Sequence, residues 1–289
     1  HHNIEPLFSF FHSTFNLMAF IVRATLFVLA FIVQCSAFSQ PSHGGQKLKA
    51  TLIVGPLESR TKTAIAEMDE IAELLLKNGI AVERFYHKKA KWSAILKSAS
   101  ESDFFIYSGH GSNMGVKGRA GGLCLSDREM ISTSRIMSEL KLKPNSMVIM
   151  KSVCNAAGSS AGDPRDIGIN TAKNRVEHYA YPFLELGAAV YYADNYLDGA
   201  YTFLELFLAG ESVINCYRHT ATRVTHIEFE SEFPRNQDLV FSISSSGGAH
   251  EVERSNQQTQ GRYVQQHVPP KSYDIALVGL GTFSMSFMK

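Results

Sequence analysis

Two residues of this sequence are placed to do nucleophilic chemistry. His110 stands in the segment SGHG after the apolar run at 102–108, and Cys154 stands in SVCNAAG after the apolar run at 147–153. A thiolate attacks carbonyl carbons well, but the pKa of a free cysteine is about 8.5. A neighbouring imidazole activates the thiol and later protonates the departing amine. The sequence therefore predicts a cysteine–histidine pair that carries out acyl transfer.

The backbone around the pair suggests how the reaction is completed. We expect the backbone N–H groups of Gly111 and Cys154 to stabilise the oxyanion, and the glycines beside His110 to admit the substrate backbone. Each residue alone also has a structural explanation, because His-Gly after a strand is usually a turn and a cysteine after an apolar strand is usually buried. Their joint placement at two strand ends, histidine first, favours catalysis.

The elements that must position this pair alternate along the chain. Apolar runs predict buried strands at 49–54, 80–85, 102–108, 147–153 and 188–192. Helical spacing predicts helices at 65–75, 92–96, 131–142, 174–187, 199–209 and 211–223. This alternation predicts an α/β fold with a mainly parallel sheet covered on both faces. Catalytic groups gather beyond the carboxyl ends of such strands, so we expect His110 and Cys154 at one edge.

The last part of the sequence changes character. Apolar and acidic residues alternate at 227–233, and a second apolar run follows at 239–243. Residues 244–261 are polar and predict a mobile loop, whereas 275–287 ends with alternating large apolar residues. Because period-two alternation is typical of strands, we predict that 224–289 forms a β-rich C-terminal appendage.

The first part of the chain has the layout of a secretory signal. From Met18 it carries one positive charge, then the apolar run 24–33, then small residues that predict cleavage before Gln40. We therefore assign 1–39 to an upstream extension and signal peptide and 40–47 to a polar leader, and expect secretion or a periplasmic or cell-envelope location. Two alternatives are an uncleaved anchor, although the run is shorter than the ~20 residues of a spanning helix, and a lipoprotein attached at Cys35.

Composition and residue spacing limit which partners, metals and disulfides the sequence predicts. Loss of the signal leaves Cys124, Cys154 and Cys216, so at least one thiol is unpaired, and the other two either pair or remain buried thiols. The net charge is +1, from 28 basic and 27 acidic residues, which does not suggest a nucleic-acid or anionic-membrane partner. The eleven histidines lack ligand spacing and no C-x-x-C pair occurs. We expect a peptide or protein substrate, no metal and no cofactor.

Four segments resemble the caspase-like superfamily of cysteine peptidases: FFIYSGHGS, GGLCLSD, MVIMKSVCNAAG and LGAAVYYADNYLDGAYTFLELFLAG. The chain is most similar to the CHAT-domain type, in which a strand ending in His-Gly, an L-x-L-x-D segment and a strand ending in S-x-C recur. Here these are His110–Gly111, Leu123–Asp127 and Ser152–Cys154. The resemblance spans roughly residues 48–220 and implies a caspase-like three-layer sandwich, with a catalytic domain over 48–223. It also implies peptide hydrolysis through a Cys154 thioacyl intermediate, with His110 as general base and acid.

The sequence departs from the caspases at the nucleophile. Asn155 and Ala156 follow the cysteine, so the Q-A-C-x-G signature is absent and aspartate specificity is not implied; no third catalytic residue is assigned. We expect 158–175 to line the substrate cleft and to be a candidate for self-cleavage. Asp163 and Asp194 are candidates for a pocket that binds a basic P1 residue. The alternatives without a substrate role are a solvated acidic residue on a loop and a helix cap, respectively. The alternative function is a catalytically silent caspase-fold binding or scaffold protein.

Overall fold

The computed structural model describes residues 47–113, 120–163, 166–195, 199–247 and 271–288. The predicted upstream extension, signal peptide and all but the last leader residue lie outside the described residues. Most of the polar loop predicted at 244–261 lies outside them as well. Within the described ranges, no helix is both long enough and apolar enough to cross a membrane.

Eleven strands occur in the described part of the chain. They are β1 (Lys49–Val54), β2 (Ala81–Tyr86), β3 (Phe104–Ser108), β4 (Gly111–Asn113), β5 (Ala120–Cys124), β6 (Met130–Ile131), β7 (Met147–Lys151), β8 (Val190–Asp194), β9 (His226–Phe233), β10 (Asn236–Ser246) and β11 (Ser272–Gly279). Eight of them form one large sheet in the order β2-β1-β3-β7-β8-β11-β10-β9. The five strands from β2 to β8 are parallel, and β11, β10 and β9 are antiparallel to their neighbours.

Helices cover the two faces of this sheet. They are α1 (Thr61–Lys77), α2 (Trp92–Ala99), α3 (Thr133–Glu139), α4 (Ile169–Glu185), α5 (Gly199–Leu208) and α6 (Val213–Val224). One core cluster includes Met68 of α1 and Phe203 of α5, and the other includes Trp92 of α2 and Phe183 of α4. The chain is therefore an α/β protein with a large, mostly parallel central sheet flanked by helices, as the alternation predicts.

The central strands read as unbroken apolar runs because both of their faces are buried. Every residue of β3, β7 and β8 is buried, and successive side chains enter opposite core clusters. Since β1, β2, β3, β7 and β8 are parallel, all five end at one edge of the sheet, here called the carboxyl rim. The loops that follow these strands therefore share one side of the molecule.

The C-terminal region is β-rich as predicted, but it extends the central sheet. β11 pairs antiparallel with β8 from Ile275 opposite Asp194 to Gly279 opposite Val190. The strand predicted to reach Phe287 ends early, because a 3-10 turn spans Met285–Met288. There the Phe283 ring stacks on Phe207 at 6.0 Å between centroids, so packing against α5 replaces strand pairing.

A second, three-stranded sheet was not predicted from the sequence. It has the order β4-β5-β6 and lies between His110 and β7 in the chain. Its strands are two to five residues long, and β5 contains Gly121 and Gly122, both with positive φ angles. Short, glycine-rich strands have little apolar alternation, so hydrophobic periodicity did not predict these three strands.

Candidate active site

The register of the central sheet brings the two predicted catalytic residues to the same rim. β3 and β7 are adjacent and parallel, with Ser108 opposite Lys151. His110 therefore stands two residues beyond the end of β3, and Cys154 three residues beyond the end of β7. The predicted placement of both residues at one edge of the sheet is confirmed at the level of the backbone.

The two loops touch through Gly111. A Cβ atom at this position would lie 2.2 Å from the carbonyl oxygen of Cys154 and 2.4 Å from the hydroxyl oxygen of Tyr179. A Cβ atom at Gly109 would lie 2.3 Å from the hydroxyl oxygen of Tyr107. Close packing inside the protein therefore accounts for both glycines, and the approach of a substrate backbone stays a prediction.

Tyr107 fixes the backbone that carries His110. Its hydroxyl oxygen lies 2.9 Å from the carbonyl oxygens of His110 and Cys124, and it accepts a hydrogen bond from the Cys124 N–H at 2.9 Å. Burial raises the pKa of Tyr107 well above its ordinary value, so the hydroxyl stays protonated and able to donate. The end of β3 is therefore tied to β5 through the backbone of His110 and Cys124.

The imidazole of His110 is held by a residue that the sequence did not indicate. Its Nε2 atom lies 2.8 Å from Oε2 of Glu58, in the 3-10 turn that follows β1, and the other Glu58 oxygen lies 3.7 Å from Nη2 of Arg128. A carboxylate only accepts hydrogen bonds, so Nε2 carries the proton in this arrangement. In the neutral imidazole, Nδ1 is then the nitrogen left to accept a proton. A polar residue just beyond the first strand was the one available signal for Glu58.

The thiol of Cys154 differs from the other described cysteines in its exposure. Cys124, Cys154 and Cys216 are all free, but only Cys154 is half-buried, whereas the other two are buried. Burial raises the pKa of the Cys124 thiol, and it raises the pKa of Cys216 to about 12. Of the two alternatives left open by the sequence, a disulfide or two buried thiols, the structure has Cys124 and Cys216 as buried free thiols.

Backbone strain concentrates around these residues. Seven non-glycine residues among those described have positive φ angles, and six of them lie on loops at the carboxyl rim: Glu58, His87, Asp127, Arg128, Ser152 and Asn155. Such conformations cost about 1–3 kcal/mol each and persist where the surrounding structure enforces them. Two of the six flank the nucleophile within two residues, and a third holds the histidine. These strained residues therefore cluster at the rim that carries His110 and Cys154.

The loop that contains Cys154 is fixed by its own hydrogen bonds. The Ser152 N–H donates to the carbonyl oxygen of Asp194 at 2.7 Å, and the Asn155 N–H donates to that of Ser159 at 2.9 Å. Gly111 on β4 packs against the carbonyl group of Cys154. The oxyanion role assigned to the N–H groups of Gly111 and Cys154 stays a prediction.

The two aspartates predicted to bind substrate have structural partners. Oδ1 and Oδ2 of Asp163 accept hydrogen bonds from Arg175 at 2.8 and 2.7 Å, and Oδ2 also accepts one from the Ser160 N–H. Burial opposes ionisation of Asp163, but the bonds from Arg175 and Ser160 hold its pKa below the ordinary value. Asp194 is fully buried at the end of β8, and a Cβ atom at Gly199 would lie 2.8 Å from its Oδ2. A substrate-binding role for either residue stays a prediction.

Comparisons with known proteins leave the family of this chain open. No protein-family model matches it, and no curated protein matches it. Among solved structures it is similar to a short-chain flavodoxin associated with a non-canonical PDU bacterial microcompartment. The two share 10% sequence identity and a TM-score of 0.28, over 49% of this chain and 77% of the flavodoxin. A likeness this weak carries no argument about function.

Proposed function

We propose that this chain is an exported cysteine endopeptidase of the caspase-like class, most similar to the CHAT-domain type. The observation that carries the proposal is the junction of two adjacent strand ends, where Gly111 beside His110 packs on the backbone of Cys154. A half-buried thiol and a half-exposed imidazole therefore stand on neighbouring loops of one rim. The proposal of export rests on the signal-like N-terminal sequence.

The hydrogen bond that His110 Nε2–H donates to Glu58 suggests the order of proton transfers within this proposal. With Nε2–H directed at Glu58, Nδ1 of His110 accepts the thiol proton while the sulfur of Cys154 attacks the scissile carbonyl. The Glu58 carboxylate stabilises the resulting imidazolium. The imidazolium then gives its proton to the departing amine, which leaves a thioacyl-enzyme. Water, activated by the same nitrogen, releases the acid product and restores the thiol.

Labelling with a peptidyl electrophile tests the proposal. We expect the wild-type chain to form one adduct, at Cys154, because the buried Cys124 and Cys216 thiols have raised pKa values and little thiolate. Cys154→Ala should abolish the adduct, and His110→Ala should slow its formation by at least about a hundredfold. Peptide mapping by mass spectrometry identifies the modified residue.

Cys216→Ala is the matched control, since it removes a buried thiol on the opposite face of the sheet. Its labelling rate should equal that of the wild type. Adducts at another cysteine, or equal rates in the wild type and His110→Ala, would discredit the catalytic pair. A folded chain that resists every electrophile and cleaves no peptide would instead support the silent scaffold reading.

A further inference from the structure

We propose that a basic surface beside the candidate active site binds an acidic stretch of the peptide substrate. This inference rests on the proposed peptidase function for its choice of ligand. The surface, called the basic surface, lies on loops at the carboxyl rim and comprises Arg60, His87, Lys88, Lys89, Lys91 and Arg128.

The centre of the basic surface is the 3-10 turn His87–Lys89, which directly follows β2. All three side chains of the turn are exposed. Together with Arg84 and Tyr86 they line an open depression of about 330 Å³. His87 has a positive φ of 51°, so the turn is held in a conformation that its sequence does not favour.

A continuous set of contacts joins this turn to the catalytic histidine. The Ser126 N–H donates to the carbonyl oxygen of Ala90 at 3.1 Å, which links the loop after β2 to the 3-10 turn Ser126–Arg128. Arg128 of that turn approaches Glu58, and Glu58 holds His110. The basic surface and the candidate active site are therefore parts of one surface, built on consecutive loops of the rim.

Positive charge on the basic surface exceeds what its neighbours neutralise. Five permanently charged side chains stand against two carboxylates, Glu58 and Asp127, although the whole chain has a net charge of only +1. The hydrogen bond and charge of Lys91 hold the pKa of Asp127 below its usual value, with a further contribution from Lys88. Lys88 and Lys89 form no ion pair with any residue in the described ranges, so both ammonium groups can meet an anionic ligand.

The chemistry of the depression favours an acidic peptide over a nucleic acid. Proteins that bind single-stranded nucleic acids stack bases on exposed aromatic rings. Here the aromatic groups that line the depression are the half-buried ring of Tyr86 and the imidazole of His87. Carboxylates need only the ammonium and guanidinium donors that the basic surface supplies.

Strand spacing sets where the acidic residues of a substrate must lie. β2 is two strands from β3, and neighbouring strands are about 4.8 Å apart, so the turn after β2 lies roughly 10 Å from the loop that carries His110. An extended peptide advances about 3.3 Å per residue. The acidic stretch should therefore begin about three to four residues from the scissile bond.

The test measures binding without turnover, using the full chain with Cys154→Ala. A fluorescein-labelled peptide with four consecutive glutamates is titrated by anisotropy against the same peptide with four glutamines. We expect the glutamate peptide to bind at least about tenfold more tightly, and Lys88→Glu combined with Lys89→Glu to remove that preference. Raising the ionic strength from about 0.01 M to about 0.15 M should weaken the binding.

Lys77→Glu combined with Lys141→Glu is the matched control, because both lysines are exposed, lack ion pairs among the described residues and lie away from the carboxyl rim. This control should change the affinity less than about twofold. Equal losses in both double variants, no preference for glutamate, or tighter binding of a single-stranded oligonucleotide of equal charge would each overturn the proposal. Thermal melting confirms that every variant is folded.

A cleavage assay with Cys154 intact separates the two proposals. Peptides with the glutamates placed three to four residues before or after the scissile bond are compared with their glutamine counterparts. If the glutamate peptide binds but no peptide is cleaved, the proposal that the basic surface binds acidic peptides is supported and the peptidase proposal is contradicted. If both peptides are cleaved with equal kcat/KM, the peptidase proposal is supported and the proposed role of the basic surface is contradicted.

Discussion

In the proposed mechanism, the hydrogen bond between His110 Nε2 and the Glu58 carboxylate leaves Nδ1 to accept the thiol proton. We predict that Glu58→Gln lowers kcat by about fivefold with little change in KM, because a half-exposed, charge-assisted hydrogen bond contributes about 1 kcal/mol. The glutamine amide can also donate to Nε2, so the tautomer with the proton on Nδ1 becomes accessible. Imidazole nitrogen chemical shifts measured by NMR should therefore report a mixture of tautomers in the variant.

Two comparisons separate positioning of the imidazole from a general structural effect. Glu70→Gln changes another glutamate, exposed on α1, and should leave both the rate and the imidazole shifts unchanged. In a His110→Ala background, Glu58→Gln should have no further effect on the rate, because the group that it positions is gone. A fivefold loss that persists without His110 would show that Glu58 acts on the fold and not through the imidazole.

At the scale of the elements, a partly buried ion pair fastens the loop after Cys154 to α4. The Arg175 guanidinium donates two hydrogen bonds to the Asp163 carboxylate and a third to the carbonyl oxygen of Gly158 at 3.0 Å. We predict that Asp163→Asn destabilises the fold by about 1.5–3 kcal/mol at neutral pH. Because the loop leads directly from Cys154, the proposed peptidase activity should fall as well.

The destabilisation should depend on pH in a defined direction. The pKa of Asp163 in the folded chain lies below its ordinary value of about 3.9, so its stabilising effect is complete above that value and is lost as the pH falls through the folded pKa. Urea unfolding at a series of pH values should show the difference between wild type and Asp163→Asn shrinking below about pH 4. Asp238→Asn, at an exposed site, is the control. A difference that stays constant down to pH 2 would contradict the ionic origin.

The strand ends were predictable, whereas several of their partners were not. The apolar runs before His110 and Cys154 revealed buried parallel strands, because such strands need apolar side chains on both faces. Glu58 lies 52 residues from His110, and only the pairing of β1 with β3 brings their loops together. Hydrophobic periodicity indicates burial along one element but not contacts between loops. It therefore could not predict the contacts of Glu58 and Tyr107 or the three-stranded sheet.

At the scale of the whole molecule, the eight-stranded sheet joins the predicted catalytic region to the β-rich C-terminal region. Residues from β10 and β11 enter both core clusters: Phe241, Ile243 and Val278 lie on one face, and Ile275 and Leu277 on the other. From Lys47 onward the chain is one compact unit. The boundary that composition placed after residue 223 therefore lies inside one compact unit.

This continuity predicts the outcome of truncation. A chain spanning 47–289 should unfold cooperatively, whereas one spanning 47–223 should not. The shorter chain loses the strand that pairs with β8 and more than five buried apolar side chains. The five named above are worth about 1.5–3 kcal/mol each, a sum comparable with the 5–15 kcal/mol that stabilises a typical domain. Near-ultraviolet circular dichroism during urea unfolding measures the difference. A sigmoidal transition in 47–223 with native aromatic signals would instead establish an independent domain, and the C-terminal strands would then be the appendage that the sequence pattern suggested.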